Sequence, residues 1–363
     1  TGGGKSICFQ VPTLAKDGIC LVISPLIALI KDQVENLKNK GINALAIYSS
    51  MPFLEIKKTL QNAAYGNYKF LYVSPERLET ALFLDYLPAL NINLIAVDEA
   101  HCISQWGYDF RPAYLNIAKI REQIPTVPVL ALTASATKNV QEDICEKLLF
   151  TNAAQSFQQS FARPNLSYSV FNVASKQTKL LTILKNVSGS GIVYCKSRKH
   201  TKEIADLLKL HALNADFYHA GLSNDERNTK QENWIKNITR IICCTNAFGM
   251  GIDKANVRVV IHLDLPDSLE AYYQEAGRAG RDEQKAYAIL LFQEHDIAEL
   301  NRKYITEYPS IAEIKQTYEF VMNMLQIPIG AGLNTQLEFD LTLLISRSGF
   351  SAIKLINALK YLE

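Results

Sequence analysis

Short apolar runs rich in β-branched residues recur along this chain, and the segments between them carry apolar residues at helical spacing. Ile19 to Ile23, Phe70 to Val73, Leu94 to Val97 and Val129 to Leu132 read as strands, and Leu26 to Leu37 as a helix after the first. Strands that alternate with helices need right-handed crossovers, so this portion is expected to be an α/β domain on a parallel sheet. The pattern then restarts. Gly191 to Cys195, Ala215 to Tyr218, Arg240 to Cys244 and Val257 to Leu263 read as strands, with a helix over Lys202 to Leu210. Between the halves, the polar segment Thr151 to Ser169 carries an Arg163-Pro164-Asn165 turn and reads as a linker. Beyond about residue 296 the strands stop and helical periodicity takes over. The expected domains are therefore 1–155, 156–296 and a helical 297–363, the halves alike in architecture without a sequence repeat.

Two motifs in the first half carry phosphate chemistry. Thr1-Gly2-Gly3-Gly4-Lys5-Ser6 runs into apolar residues at helical spacing, which is the back end of a Walker A loop. Glycines let backbone N–H groups turn toward phosphate oxygens, Lys5 reaches the β- and γ-phosphates, and the Ser6 hydroxyl ligates Mg²⁺. Leu94-Ile95-Ala96-Val97 then runs into Asp98-Glu99-Ala100-His101. A strand that ends in two carboxylates suits a magnesium site: Asp98 holds the metal and Glu99 orients and deprotonates the attacking water. Taken alone, each motif also reads as something plainer, a glycine-rich helix start or a solvated acidic strand end. Together they point to nucleotide hydrolysis.

The second half supplies positive charge. Gln274-Glu275-Ala276-Gly277-Arg278-Ala279-Gly280-Arg281-Asp282 spaces two arginines to share one helical face. Arginine aimed at a γ-phosphate stabilises the charge of the phosphoryl-transfer transition state. A surface ion-pair helix would not explain the two glycines, each of which weakens a helix by about 1 kcal/mol.

Asp98-Glu99-Ala100-His101-Cys102-Ile103-Ser104-Gln105-Trp106-Gly107, continuing as Tyr108-Asp109-Phe110-Arg111-Pro112, resembles the DEAH-type motif II and aromatic-rich loop of the RecQ family of DNA helicases in superfamily two. The resemblance takes in Ser24-Pro25-Leu26 to Gln33, Val73-Ser74-Pro75-Glu76-Arg77, and Ala131 to Thr137 with Thr133 and Ser135. It resumes at Val193-Tyr194-Cys195, His219 to Leu222 and Ala247 to Lys254, and it covers residues 1 to about 295 in family order. It implies two RecA-like parallel-sheet domains in tandem, ATP and Mg²⁺ as cofactors, and DNA as partner. It further implies that His101, Gly249, Gly251 and Asp253 line the nucleotide cleft, with Arg278 and Arg281 as arginine fingers. Gln105, Trp106, Phe110 and Arg111 would sense single-stranded DNA and couple it to Glu99, since an aromatic stacks on any base. Ser24, Pro25, Ser74, Arg77, Thr133, Ser135, Lys196, Arg198 and Thr245 would complete the nucleic-acid path.

The departures are Tyr108 where the family usually has His, Ala113 for Glu, and Ala255-Asn256 for Pro-Asp. The seven cysteines show no Cys-x-x-Cys and none lies beyond Cys244, where the family typically carries a four-cysteine zinc module. The chain thus resembles the shorter, zinc-free branch. Cys8, Cys20, Cys195, Cys243 and Cys244 sit in apolar segments and are expected to be buried thiols of a reducing cytosol, nucleoid-associated in a bacterium. A hydrophobic share of 48% is that of a globular chain, and no apolar run approaches the roughly 20 residues a membrane span needs. With a net charge of only +2, a nucleic-acid partner needs a local groove of donors and not a basic surface. Lys196 to Lys202, basic and opening a helix, serves equally as a phosphate contact or a solvated face. Leu341 to Leu362 reads as helix, turn and helix, either the start of a winged helix or a plain hairpin. Thr1 falls inside the phosphate loop and Ala358 to Glu363 lack a cap, so both ends are expected to be cuts in a longer chain. The expected activity is DNA unwinding, for which the resemblance implies a 3′→5′ direction. The alternatives are an ATP-dependent RNA helicase and an ATP-gated clamp that binds nucleic acid without turnover.

Overall fold

A computed structural model describes residues 4–105, 109–151, 153–160, 162–248, 254–328, 331–332 and 337–362. The chain divides into two units, residues 1–171 with 175–291, and residues 172–174 with 292–363.

The first unit holds two sheets. Strands β1 (Ile19–Ile23), β2 (Ala44–Ile47), β3 (Phe70–Val73), β4 (Ile92–Val97) and β5 (Val129–Ala131) form one, in the order β2-β3-β1-β4-β5. All its neighbours run parallel, with Cys20 opposite Phe70 and Leu21 opposite Ile95. Every residue of β1 is buried, because alternate side chains enter two different cores. Cys20 and Val22 pack on one face against Phe9 of α1 (Lys5–Leu14) and Ile30, Val34 and Leu37 of α2 (Ile27–Asn39). Leu21 and Ile23 pack on the other. There they meet Leu60 of α3 (Phe53–Tyr65), Phe83 of α4 (Ala81–Tyr86), Ile117 and Ile120 of α5 (Asn116–Gln123) and Val140 of α6 (Lys138–Lys147).

Strands β6 (Leu166–Asn172), β7 (Ser190–Tyr194), β8 (Ala215–Tyr218), β9 (Ile241–Cys244), β10 (Val257–His262) and β11 (Ala286–Phe292) form the second sheet, in the order β6-β11-β10-β7-β9-β8. Helices α7 (Lys176–Asn186), α8 (Arg198–Leu210), α9 (Asn224–Ile235) and α10 (Leu269–Ala276) connect its strands. Trp234 is wholly buried there because its indole N–H donates to Gly191 O at 3.2 Å, so the ring brings no unpaired donor into the core.

Three strands depart from the expected set. Ala44–Ile47 is half alanine, Ala286–Phe292 carries two alanines, and Leu166–Asn172 is a largely exposed edge strand of mixed polarity. None presents the β-branched run that marks a strand. The last of them begins inside the segment expected to be linker. Cys8 is exposed, not buried, because α1 turns Phe9, Gln10 and Thr13 inward instead. Cys20, Cys195, Cys243 and Cys244 are buried as expected.

The second unit consists of α11 (Glu294–Glu307), α12 (Ile311–Met324), α13 (Leu341–Ser348) and α14 (Ala352–Leu362), with residues 172–174. Helix, turn and helix stand where the sequence places them, and Gly349 makes the turn at φ 69°. No described helix is long and apolar enough to cross a membrane.

Candidate active site

Parallel strands bring their carboxyl ends to one edge, and the residues that follow collect there. Asp98 N–H donates to Ile23 O (2.9 Å), Ser24 N–H to Val73 O (3.2 Å) and Leu132 N–H to Val97 O (2.9 Å). Ser24, Ser74, Asp98, Glu99 and Thr133 therefore leave the sheet along the edge where open α/β sheets bind ligands. Lys5 reaches the same place from α1. Its Nζ donates to Glu99 Oε1 at 3.1 Å and lies 4.0 Å from Asp98 Oδ1. Gly4 precedes α1 at φ 68°, a conformation glycine adopts freely, and no side chain caps the first turn that holds Lys5 and Ser6. Ile7 N–H is taken up by Gly4 O at 2.9 Å, and an anion is the partner favoured by the N–H groups of Lys5 and Ser6 ahead of it. Gly2 and Gly3 lie outside the described residues.

The two carboxylates differ in environment. Burial pushes the Asp98 carboxyl up to about 6, repulsion from Glu99 adds to this, and Lys5 and the Glu99 N–H, which donates to Asp98 Oδ1 at 3.0 Å, act against it. Glu99 has φ 46°, ψ 47°, a left-handed conformation that costs a non-glycine residue roughly 1–2 kcal/mol. That turn redirects the chain after β4, and Ala100 N–H closes it on Leu132 O at 2.9 Å. Glu99 Oε2 is buried and makes no hydrogen bond among the described residues, which leaves an acceptor for a water molecule. His101 is buried, with Nδ1 2.9 Å from Thr133 Oγ1 and 3.4 Å from Glu99 Oε2. Burial holds its pKa below the ordinary value, so the ring is neutral at pH 7. Tyr114, which sequence patterning did not single out, donates its hydroxyl to Asp98 O at 2.9 Å and fixes the carboxylate's backbone from behind. Among the described residues no group of three or more His, Cys, Asp or Glu could hold a metal ion. Mg²⁺ needs no such group, because it is held by one or two protein oxygens plus phosphate and water. Asp98 and Ser6 fit that set.

The loop after motif II is tied to the first strand. Arg111 donates from Nη1 to Pro25 O at 2.9 Å and from Nε and Nη2 to Asp109 Oδ2 at 3.2 and 3.0 Å, so its guanidinium bridges this loop to the end of β1. Gln105 is exposed and Phe110 half-buried, while Trp106 lies outside the described residues. Other expected contacts face inward. Ser24, Pro25, Ser74, Ser135 and Thr245 are buried, and Arg77 is engaged by Tyr48 O and Ser49 O in the loop after β2. Lys196 and Arg198 are exposed where α8 begins, a start fixed by Ser197 Oγ accepting His200 N–H at 3.1 Å.

Gly249, Gly251 and Asp253 lie outside the described residues, but the residues on either side, Phe248 and Lys254, are held. Phe248 O accepts the Tyr194 hydroxyl at 3.1 Å. Lys254, 6% exposed, donates to Trp234 O, Ile235 O and Asn237 Oδ1 at 2.8, 2.8 and 2.7 Å. Its charge meets the negative end of α9, which offsets part of the desolvation that lowers its pKa. Tyr194 also hydrogen-bonds Arg278 and stacks on His262 at 5.0 Å, and His262 Nε2 lies 2.8 Å from Glu275 Oε2. Arg278, at 8% exposure, and Arg281 follow α10. That helix reaches the first sheet's site, where Gln274 Nε2 donates to Ser135 Oγ at 3.4 Å. Lys254 closes the stretch Ala247 to Lys254 that the sequence singles out, whereas nothing in the sequence pairs Tyr194 with Arg278.

Comparison with known proteins is consistent across the chain. The DEAD/DEAH box helicase family matches residues 1–143, and the helicase conserved C-terminal domain matches residues 175–283. The ATP-dependent DNA helicase RecQ of Bacillus subtilis (strain 168) is 44% identical over 299 residues, 82% of this chain and 50% of the relative. The probable ATP-dependent DNA helicase RecS of the same organism is 44% identical over 295 residues, 80% of this chain and 59% of the relative. The RecQ helicase of Pasteurella multocida (strain Pm70) is 42% identical over 83% of this chain and 48% of its own length. The chain spans about half the length of these curated relatives. Among solved structures, the Mycobacterium smegmatis helicase Lhr bound to ssDNA and AMP-PNP superposes with a TM-score of 0.62 at 17% identity, over 98% of this chain and 50% of that one. Yeast Dbp5 bound to Gle1 and IP6 superposes with a TM-score of 0.61 at 18% identity, over 89% and 86%. Both share the fold.

Proposed function

We propose that this chain, which belongs to the RecQ family of helicases in superfamily two, is the ATP-driven core of a motor that moves 3′→5′ on DNA and separates its strands. Residues 1–155 and 156–296 are its two RecA-like domains, and residues 297–363 a helical segment, either the start of a winged helix or a plain hairpin. Its place is the cytosol, on the nucleoid in a bacterium, and its work DNA repair and recombination.

The observation that carries this reading is the cluster of Lys5, Asp98 and Glu99, with Glu99 in a strained left-handed turn beside an unused acceptor. Strain of this kind persists where the surroundings impose it, and it gathers at functional sites. Lys5 and the α1 N–H groups hold the β- and γ-phosphates, and on their arrival Lys5 exchanges Glu99 for phosphate. Ser6 and Asp98 hold Mg²⁺, which when bound neutralises charge on the phosphate oxygens. Glu99 Oε2, the oxygen that Lys5 does not hold, accepts a proton from the attacking water. Neutral His101 orients Glu99 and carries its position to Thr133. Gly249, Gly251 and Asp253 line the nucleotide cleft, and Arg278 and Arg281 stabilise the charge of the transferring group. DNA stacks on Trp106 and Phe110, with Gln105 beside them, and Arg111 passes that contact to Pro25 and motif II. Lys196 and Arg198 take the backbone phosphates on the second sheet. The buried Ser24, Ser74, Ser135 and Thr245, and the engaged Arg77, shape the path without reaching the strand through their side chains.

The test is strand separation by the full-length protein on duplexes with a 3′ or a 5′ single-stranded tail, with ATPase stimulation compared between DNA and RNA oligonucleotides. Opening of the 3′-tailed DNA duplex with stimulation by DNA is expected. Stimulation by RNA alone would indicate an RNA helicase, and binding without turnover an ATP-gated clamp.

A further inference from the structure

The Arg163-Pro164-Asn165 turn, which reads in sequence as linker punctuation, grips the loop that carries the two arginines. Arg163 donates from Nη2 to Gly280 O at 2.7 Å and to Ala279 O at 3.1 Å, and from Nη1 to Gly277 O at 3.5 Å. Asn165 donates from Nδ2 to Gly280 O at 2.7 Å and to Gln284 O at 3.0 Å. Two side chains therefore take up the carbonyls of residues 277, 279, 280 and 284. Arg278 sits within the gripped stretch, and Arg281 directly follows the doubly held Gly280. The fit leaves no slack, because Gly280 is at φ 61° and a Cβ there would meet Asn165 Nδ2 at 2.6 Å. Backbone bonds pin the same segment from both sides, Gly280 N–H to Val257 O at 2.8 Å and Ala286 N–H to Asn165 O at 2.9 Å.

This is more than a loop needs in order to stay folded. The carbonyls that Arg163 takes up lie in the turn that follows α10, and carbonyls just past a helix end are ordinarily left to water or a cation. Here a forked guanidinium spans three of them, a geometry that fixes direction as well as charge. The turn also lies in the connection that runs from α6, the last helix of the first sheet, to β6, the first strand of the second. Any shift of that connection is handed directly to the arginine loop.

We propose that Arg163 and Asn165 are positioning residues for hydrolysis: they set Arg278 and Arg281 at the γ-phosphate and link the connection between the sheets to finger placement. The proposal rests on the reading of Arg278 and Arg281 as arginine fingers. Asn165 also begins an Asn-x-Ser triplet, and its occupied amide gives that position a use independent of glycosylation.

The experiment is steady-state, DNA-stimulated ATP hydrolysis by the full-length protein carrying Arg163→Gln, Arg163→Lys or Asn165→Leu, each alone and with Arg281→Ala, alongside melting temperature and single-stranded DNA affinity. Misplaced fingers cost transition-state stabilisation and leave substrate binding alone. Arg163→Gln and Asn165→Leu should each lower kcat about tenfold while KM for ATP and the DNA Kd stay within about twofold, since one hydrogen-bonded clamp is worth about one decade in rate. Arg163→Lys, which keeps the charge and loses the fork, should recover part of the loss. On the Arg281→Ala background Arg163→Gln should cost less than it costs alone, because one of the two fingers it positions is already gone. Unchanged kcat, or losses that multiply with Arg281→Ala, would overturn the clamp. So would a fall in kcat matched by a fall in melting temperature and DNA affinity with no rescue by lysine. If Arg278→Ala and Arg281→Ala themselves leave hydrolysis intact, it is the finger assignment that fails, and the clamp's role with it.

Discussion

Replacing Asp98 by asparagine should make the protein more stable and less active at once, and the size of the gain follows from the site. The folded carboxyl titrates at about 6 against 3.8 for the unconstrained group, raised mainly by burial. A raised carboxylate pKa works against folding. Below pH 3.8 both states hold the proton and the group contributes nothing. Between 3.8 and 6 the unfolded chain releases its proton first, and above 6 the penalty is complete. The difference corresponds to about 3 kcal/mol at the upper end, at 1.36 kcal/mol per pKa unit, and partial solvent access brings the expected gain to about 1–3 kcal/mol. Asparagine keeps Oδ1 to accept the Glu99 N–H, and Lys5 keeps Glu99 as its partner at 3.1 Å, so neither of these groups loses its partner. Denaturant melts of Asp98→Asn and the parent protein from pH 4 to pH 8, without nucleotide, would measure this. The gain should be full above pH 6 and shrink toward zero as the pH falls to 4, while Mg²⁺-dependent ATP hydrolysis is lost by on the order of 100-fold or more. A loss of stability at pH 7.5, or a gain independent of pH, would show that burial is not what raises this carboxyl.

Other expectations are simpler to state. Glu99→Gln should retain ATP and Mg²⁺ binding and lose turnover by on the order of 100-fold or more, because the water loses its base, and near-normal hydrolysis would remove Glu99 from that role. Trp106→Ala should leave basal ATPase largely intact and weaken its stimulation by single-stranded DNA, since a lost stacking contact is worth about 1–3 kcal/mol. Were basal and stimulated rates to fall together, the aromatic loop would be structural. Elemental analysis of the purified protein should find no stoichiometric zinc, and one zinc per chain would contradict the reading of its cysteine pattern.

Sequence alone determined the parts of this protein that repeat a local rule. Strands such as Ile19–Ile23 announce themselves because both faces are buried and every residue is apolar, and Val257–His262 does so through Val257 and the run Val259 to Ile261. Lys5, Asp98 and Glu99 announce themselves because phosphate and magnesium chemistry admits few residue types, in a fixed relation to strand and helix ends. Strands with only one constraint stayed hidden. Leu166–Asn172 lies at the sheet edge with most of its side chains in water, so its composition is free to be polar. What only the tertiary structure decided is which distant residues meet. Arg111 holds Pro25, Tyr194 joins Phe248 to Arg278, and Arg163 reaches residues 277 to 280 across more than a hundred positions of chain. An arginine or a tyrosine in a polar segment has no local signature for the carbonyl it will find, because that partner is delivered by sheet order and not by sequence spacing. The same holds for Glu99, whose left-handed turn and raised neighbour Asp98 exist because parallel strands bring Ile23, Val97 and Leu132 to one edge and bury the carboxylates that follow.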